Sequence, residues 1–485
     1  MMGSLVRKSF HGVLWSAIER FSYQGIHFVI GVVLARMLER SDFGMIGMLS
    51  IFLGISQVFI DCGFSSALIR QVEATEKDYG TAFSVNLGIS VAAYATLFIA
   101  APWVEAFYGM PGLCGVMRGV SATLVLNALV AVQKVKLTRA VDFKTQSKVS
   151  LGAAVLSGGL GIALANGGFG VWSLVWQSIA NSVLNLLGLT ALMRWFPKPA
   201  FDRDSFRRLF GFGSRLLAAS LVHVIYANLY NLVIGKRYSA DELGVYARAD
   251  SLSQLPSQNV EGVLKRVTYP ILAQLQNEPA RLREIYVKYL NVTCFAVFPM
   301  MIGLAATARP LVTVLLGEKW LPCVPLLQVL CLAMMLDPVC SVNLNLLYVK
   351  GRSDLVLKLE VVKKTIALAI LFSAMPFGVR WMCVGRAVYS AVATLLNMAY
   401  TRRFIDLSVG GQLKLMAAPL AMSSAMAAVC LGIGRLGLES IATLAVAVPV
   451  GVAVYMGLSH WFQVGAFREL LSVWAALRRG EGSAA

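Results

Sequence analysis

The sequence predicts an all-α polytopic membrane protein, and three observations carry that reading. The 485 residues are 58% hydrophobic and only 14% charged, where soluble domains average about 25% charged. Mean hydropathy is +0.70. The apolar residues fall in long runs joined by short connections, each near the roughly 20 residues that a helix needs to cross a bilayer. This composition excludes a cytosolic enzyme, a disordered chain and a small disulfide scaffold.

About fourteen spans are expected, at 12–34, 43–66, 82–101, 113–133, 149–166, 169–193, 212–234, 250–272, 287–309, 323–347, 357–377, 383–401, 414–434 and 440–461. The first runs past Leu34 without a small-residue cleavage site and reads as a retained helix. The stretch 250–272 carries Asp250, Glu261, Lys265, Arg266 and two prolines, and hydropathy alone makes it a surface helix. Charge argues that it crosses. With the N-terminus inside and every stretch spanning, most of the 43 Lys and Arg fall on cytoplasmic segments. The basic clusters are Lys134, Lys136, Arg139, Lys144 and Lys148; Arg194, Lys198, Arg203, Arg207, Arg208 and Arg215; and Lys350, Arg352, Lys358, Lys363 and Lys364. Only Arg20, Lys265 and Arg266 are placed within spans. The net charge of +18 is therefore mostly topogenic, and no nucleic-acid partner is expected.

Shifting the chain by 200 residues aligns Leu34-Ala35-Arg36 with Ile234-Gly235-Lys236 and Asp42-Phe43-Gly44 with Glu242-Leu243-Gly244. An even number of helices separates the copies, so both have one orientation, as in transporters built from parallel repeats. The expected organisation is an N-lobe at 1–200, a C-lobe at 201–405, and a last helix pair with a cytoplasmic tail at 406–485. The linker is Trp195-Phe196-Pro197-Lys198-Pro199.

Signatures of soluble enzymes are missing: the sequence has no P-loop, GxSxG or HExxH. Gly211-Phe212-Gly213 is better explained by packing than by phosphate binding. The eight cysteines lie mostly in apolar spans and read as small buried hydrophobes, so no metal site or disulfide is expected. The segments around Phe206, Leu209 and Phe210, and from Phe467 to Arg479, read as interfacial helices on membrane lipid.

What remains are polar residues inside spans, where they are costly and face protein or water. Ser50, Gly54, Gln57, Asp61 and Ser65 form one face of helix two. The 200-residue shift carries them onto Asp250, Gln254, Ser257, Glu261 and Lys265 in helix eight. Ser16, Arg20, Tyr23 and His27 repeat the pattern in helix one. Ser220, His223 and Tyr230, with Asn228 and Asn231 nearby, repeat it in helix seven. Two readings stay open. The stripes line a water-filled cavity, or they are bonds between helices, such as Glu19 or Arg20 with Asp61. In the first reading Arg20, Lys265 and Arg266 suit a phosphate or pyrophosphate. Tyr23, Gln57, Gln254 and Gln258 meet polar groups, and Asp61 and Glu261 partner cations or exchange protons.

Several motifs resemble a known family. Ala35-Arg36-Met37-Leu38 with Asp42-Phe43-Gly44 resembles the ARxLxxxDFG stretch of Wzx-type polysaccharide exporters, and Asp61-Cys62-Gly63 through Ala67-Leu68 their D-x-G-x-x-x-A-L ending to helix two. Phe143-Lys144, Gly168-Phe169-Gly170-Val171-Trp172, Gly244-Val245-Tyr246-Ala247-Arg248-Ala249 with Leu255-Pro256, and Leu316-Gly317-Glu318-Lys319-Trp320 are similar to further elements of the family. The resemblance runs from about residue 10 to 350 and points to the WzxC-like branch of the multidrug/oligosaccharidyl-lipid/polysaccharide exporter superfamily. It implies two six-helix lobes around a central cavity, alternating access, and a bacterial inner-membrane flippase with both termini cytoplasmic. The implied substrate is an oligosaccharide on undecaprenyl pyrophosphate, with a polysaccharide polymerase and glycosyltransferases as partners. Asn228 and Asn231 stand where the family suggests an acid, which leaves a coupling proton or sodium ion open; no other cofactor is implied. The alternatives are a cation-coupled drug antiporter, a peptidoglycan-precursor flippase and, of another class, a membrane glycosyltransferase or polymerase. The short outward loops, without clustered acids or histidines, weigh against an enzyme.

Overall fold

The computed structural model describes residues 22–71 and 73–462 with Gly465 and Phe467, but not the side chains at 263–267, 269, 270 and 353. Arg20, the side chains of Lys265 and Arg266, and the tail beyond Phe467 lie outside the described residues. All regular structure among the described residues is helical. α1 covers residues 22–37. It is followed by α2 (Arg40–Asp61), α3 (Phe64–Arg70), α4 (Glu76–Tyr108), α5 (Leu113–Arg139), α6 (Phe143–Asn166), α7 (Trp172–Met193) and α8 (Arg203–Arg237). Then come α9 (Ala240–Gln274), α10 (Pro279–Ala306), α11 (Ala308–Leu315), α12 (Cys323–Met334), α13 (Asp337–Val349), α14 (Ser353–Ala374), α15 (Val379–Ile405), α16 (Val409–Gly434) and α17 (Ser440–Trp461).

Among the described residues ten helical segments are long and apolar enough to cross a membrane, which makes this a multi-pass membrane protein. α2 with α3 counts as one of them, as does α12 with α13. α7, α9 and α14 fall outside that set by composition, although each coincides with a stretch expected to span, as does the described part of α1.

The chain forms two compact units, up to Ala247 and from Arg248 onward. In the first, α5 packs on α2, α3, α4, α6 and α7. Phe64, Leu68, Phe83, Val132, Val135 and Leu209 form one buried cluster. Ile30 and Leu34 of α1, with Leu38 just past its end, meet Leu174 of α7 in another. Lipid tails are as apolar as leucine, so association inside a membrane depends on close van der Waals approach, which small residues allow. Two places show this. At the α2–α3 break Cys62 and Gly63 have φ of 46° and 71°. There a Cβ on Gly213 would stand 2.2 Å from the Cys62 carbonyl oxygen, so the GxG at 211–213 is a packing feature.

The second place is the repeat itself. A Cβ on Gly44 would stand 1.7 Å from the Ala240 carbonyl oxygen, and one on Gly244 would stand 1.9 Å from that of Arg40. These contacts are reciprocal: residues 40 and 44 meet 240 and 244, each pair related by the 200-residue shift. Arg40 Nε lies 2.9 Å from Asp241 Oδ1. The two helix starts are also built alike. Glu39 and Asp42 form a capping box on α2, and Ser239 Oγ accepts from the Glu242 N–H at the head of α9.

The linker is strapped to the first unit, which runs on through α8 into the first residues of α9. Gln133 Nε2 donates to the Trp195 carbonyl, Phe196 packs edge-on against Phe83, and the Asp202 N–H donates to Thr81 Oγ1. Lys136 sits 3.6 Å from the centre of the Trp195 ring and 3.0 Å from Glu76 Oε1. Both partners of that ion pair are solvent-facing, so Lys136→Met is expected to cost no more than about 1 kcal/mol, read as a small fall in melting temperature. The segment around Phe206 differs from the expected interfacial helix. It is the first part of α8, with Leu209 fully buried and Phe206 edge-on to Phe64, because its apolar side packs on α3. Arg203, Arg207 and Phe210 on the other side are exposed. Asp202 caps the helix by accepting from the Ser205 N–H at 2.8 Å, which holds its carboxyl below the usual carboxylate range.

In the second unit α10 packs on α12, α13, α15 and α16. Tyr286 Oη lies 2.9 Å from both Asn343 Oδ1 and Gln412 Oε1, and Thr401 Oγ1 donates to the same Asn343 oxygen. That buried network ties α10, α13, α15 and α16 together. The Leu316–Trp320 motif forms a turn with Gly317 at φ 92°. It buries Trp320 beneath the Arg248 guanidinium, 5.9 Å from the ring centre, so two of the sequence motifs meet in space.

Candidate functional site: a polar cavity in the first unit

A cavity of about 990 Å³ opens inside the first unit, walled by α1, α2, α5, α6 and α7. Its size lies at the upper end of the usual range for ligand pockets. α1 contributes Tyr23 and His27, whose rings pack 4.3 Å apart. His27 Nε2 has no hydrogen-bond partner among the described residues. α2 contributes Gln57 and Asp61, four residues apart on one face, and α3 adds Ser65 just past the break; Ser65 Oγ donates to Asp61 Oδ1. α5 contributes Val120, Thr123, Asn127, Ala131, Lys134 and Thr138, at steps of three and four. α7 adds Gln177, Ser178, Asn181 and Ser182, and α6 adds Ser157. Ser182 Oγ donates to Asn127 Oδ1 at 3.1 Å, joining two walls. Amides and hydroxyls both donate and accept, so this surface matches a polyhydroxylated ligand.

Helix two's stripe divides. Gln57, Asp61 and Ser65 line the cavity, but Ser50 and Gly54 pack on α8. Asn231 Nδ2 donates to Ser50 Oγ at 3.1 Å, and a Cβ on Gly54 would stand 2.8 Å from Val224 Cγ1. Asn228 and Asn231 thus serve helix packing.

In the second unit the α9 stripe is a hydrogen-bonded ladder. Gln254 Nε2 donates to Asp250 Oδ2 at 2.6 Å, and Gln258 Nε2 to Gln254 Oε1 at 2.7 Å. Ser341 Oγ donates to Glu261. Arg386 Nη1 of α15 donates to Asp250 Oδ1 at 2.7 Å. Asp337, at the head of α13, lies behind this ladder with Ser390 Oγ 3.4 Å away.

Residues 33–325 match the family described as polysaccharide biosynthesis protein. The chain belongs to that family. It is 26% identical to the teichuronic acid biosynthesis protein TuaB of Bacillus subtilis (strain 168) over 94% of this chain and 96% of that protein. It is 24% identical to the lipopolysaccharide biosynthesis protein WzxC of Escherichia coli (strain K12) over 81% of each. The fold matches that of the lipid II flippase MurJ in an inward closed conformation, with a TM-score of 0.72 and 15% identity over 95% of this chain and all of that one. It also matches an inward-facing multidrug transporter of the MOP superfamily, with a TM-score of 0.61 and 17% identity over 79% and 94%. The expected family and the expected transporter fold are both borne out.

Within this family member the structure brings Tyr23, Gln57 and Asp61 to one cavity, and links Gln254, Gln258 and Glu261 along α9. It also corrects the placement of charge. Arg386 and Lys363 both lie within stretches expected to span. Arg386 holds Asp250, while Lys363 is buried on α14 and paired with Glu360. Lys134, grouped with loop charges by its neighbours in sequence, faces the cavity. The polar stripe of α5 went unread, although Thr123, Asn127, Lys134 and Thr138 carry the same helical spacing that marked α2. Among the described lining residues one lysine, Lys134, stands with one aspartate, Asp61.

Proposed function

We propose that the protein moves a lipid-linked oligosaccharide across the bacterial inner membrane during surface polysaccharide synthesis, as a transporter and not as an enzyme. Membership of a polysaccharide biosynthesis family supports this reading. The observation that carries it is the amide- and hydroxyl-lined cavity of the first unit, because sugars are recognised through just such donors and acceptors. Tyr23 and Gln57, with Gln254 and Gln258 of α9, meet the sugars. Arg20, Lys265 and Arg266 hold the pyrophosphate of an undecaprenyl carrier, and Asp61 and Glu261 balance those charges. The lobes at 1–200 and 201–405 rock to give alternating access, across about fourteen spans with both termini cytoplasmic. Glycosyltransferases supply the substrate and a polymerase consumes it.

Deleting the gene is expected to leave lipid-linked repeat units on the cytoplasmic face, measured by their protection from an externally added glycosidase. Restoration of export by the wild-type chain completes the test. Normal export in the deletion strain would end this reading.

A further inference from the structure

Resting on the transport reading above, we infer that α10 carries a hinge at Pro299, and that α17, the last described helix, sets this hinge through the Tyr455 hydroxyl. Pro299 lies inside α10. It has no N–H, so the Phe295 carbonyl loses the donor that a helix supplies four residues on. A membrane helix tolerates such a proline when a neighbouring group takes up the freed carbonyl. Tyr455 Oη donates to that carbonyl at 3.0 Å. The two rings lie 5.1 Å apart, and both side chains are buried. The first unit repeats the device. Pro102 lies inside α4, and Arg118 Nε of α5 donates to the carbonyl it frees, that of Phe98, at 3.2 Å.

The surroundings give the hinge room to work. α10 packs on α12, α13, α15 and α16, but an apolar cavity of about 600 Å³ borders it at Phe295, Pro299 and Gly303, along the turns before and after the proline. α17 walls the same cavity with Ala447, Gly451 and Tyr455. That helix is seated on α16, since a Cβ on Gly451, one turn before Tyr455, would stand 2.9 Å from Cys430 Sγ. So α17 bonds to the one turn of α10 that Pro299 leaves open, and the cavity beside that turn lets the helix change its bend. Prolines are where membrane and soluble helices alike kink most sharply. Tyr455 acts on transport through α10, as a positioning residue.

The test is a double-mutant cycle in the full chain. It is read by melting temperature in detergent and by transport of a trisaccharide on polyprenyl pyrophosphate in lipid vesicles. Tyr455→Phe keeps the ring and removes the donor, and is expected to lower both readings. Pro299→Ala returns the backbone N–H, so the Phe295 carbonyl no longer needs Tyr455. In that background Tyr455→Phe should keep at most about a third of its effect on melting temperature. Pro299→Ala alone is expected to melt at or above the wild-type temperature yet to slow transport about tenfold, because a continuous helix bends less readily. Pro299→Gly returns the N–H at a flexible position and should retain most of the transport. Three results overturn the inference: an equal loss of melting temperature from Tyr455→Phe in both backgrounds, wild-type transport by Pro299→Ala, or a glycine variant as slow as the alanine one. Loss of transport and melting temperature together in Pro299→Ala does so as well, since that pattern marks a structural proline. If the wild type moves no substrate, the transport reading fails and the hinge's role with it, whereas the cycle on melting temperature still decides whether Tyr455 serves the freed carbonyl.

Discussion

Gly44→Val is expected to lower the stability of the purified protein by about 3 kcal/mol or more and to remove export in a complemented deletion strain. The reason is geometric. The first added carbon would stand 1.7 Å from the Ala240 carbonyl oxygen, 2.5 Å from its carbonyl carbon and 2.9 Å from its Cα. Overpacking costs about 1–3 kcal/mol when side chains can yield; here every opposing atom is backbone, held by two helix starts. Gly244→Val meets the backbone of Arg40 at 1.9 Å and should behave alike. Because the two glycines share one contact, the double variant should cost less than the sum of the singles. Gly432→Val, where nothing lies within 4 Å of the new carbon, supplies the control. If Gly44→Val melts with that control, the close contact does not hold the helix starts together.

The same contact explains why the internal repeat was legible and what it meant. Residues 40 and 44 meet residues 240 and 244, the positions that the 200-residue shift pairs, so matched residues are also contact residues. Asp42-Phe43-Gly44 and Glu242-Leu243-Gly244 match in sequence, and their helix starts are those that pack on each other. The fold class was equally open to reading, since membrane spans are set by composition over about 20 residues.

The site was only partly readable. Steps of three and four residues put Ser50, Gly54, Gln57, Asp61 and Ser65 on one face, yet spacing holds no information about the neighbour. α8 covers the first two and the cavity receives the last three. Lys134 was obscured by Lys136 and Arg139, since a charge cluster in sequence splits around a helix at 100° per residue. Arg386 was obscured for a different reason. Its partner Asp250 lies 136 residues away, and nothing local to either marks the pair.

That pair sets the second large effect. Arg386→Met is expected to destabilise the protein by about 3 kcal/mol, near the lower end for breaking a buried ion pair. The lower end applies because the side chains of Arg386 and Asp250 keep 22% and 21% of their exposure. The loss comes chiefly from what is left behind: a carboxylate in an apolar helix bundle, with Glu261 and Asp337 adding negative charge in the same neighbourhood. Removing both charges should therefore be milder than removing one. Asp250→Asn with Arg386→Gln removes both charges and leaves a neutral amide on each side, so the double variant should melt closer to wild type than the Arg386→Gln single does, as compensated changes to buried pairs often do. A double-mutant cycle on melting temperature in detergent measures this directly. If the double variant is as unstable as the sum of the singles, the two residues are not coupled, and the Arg386 guanidinium acts through its other neighbours on α9 and α12. If it recovers stability but not export, the charges of Asp250 and Arg386 serve transport as well as folding, and the α9 ladder they anchor belongs with the working surface of the protein.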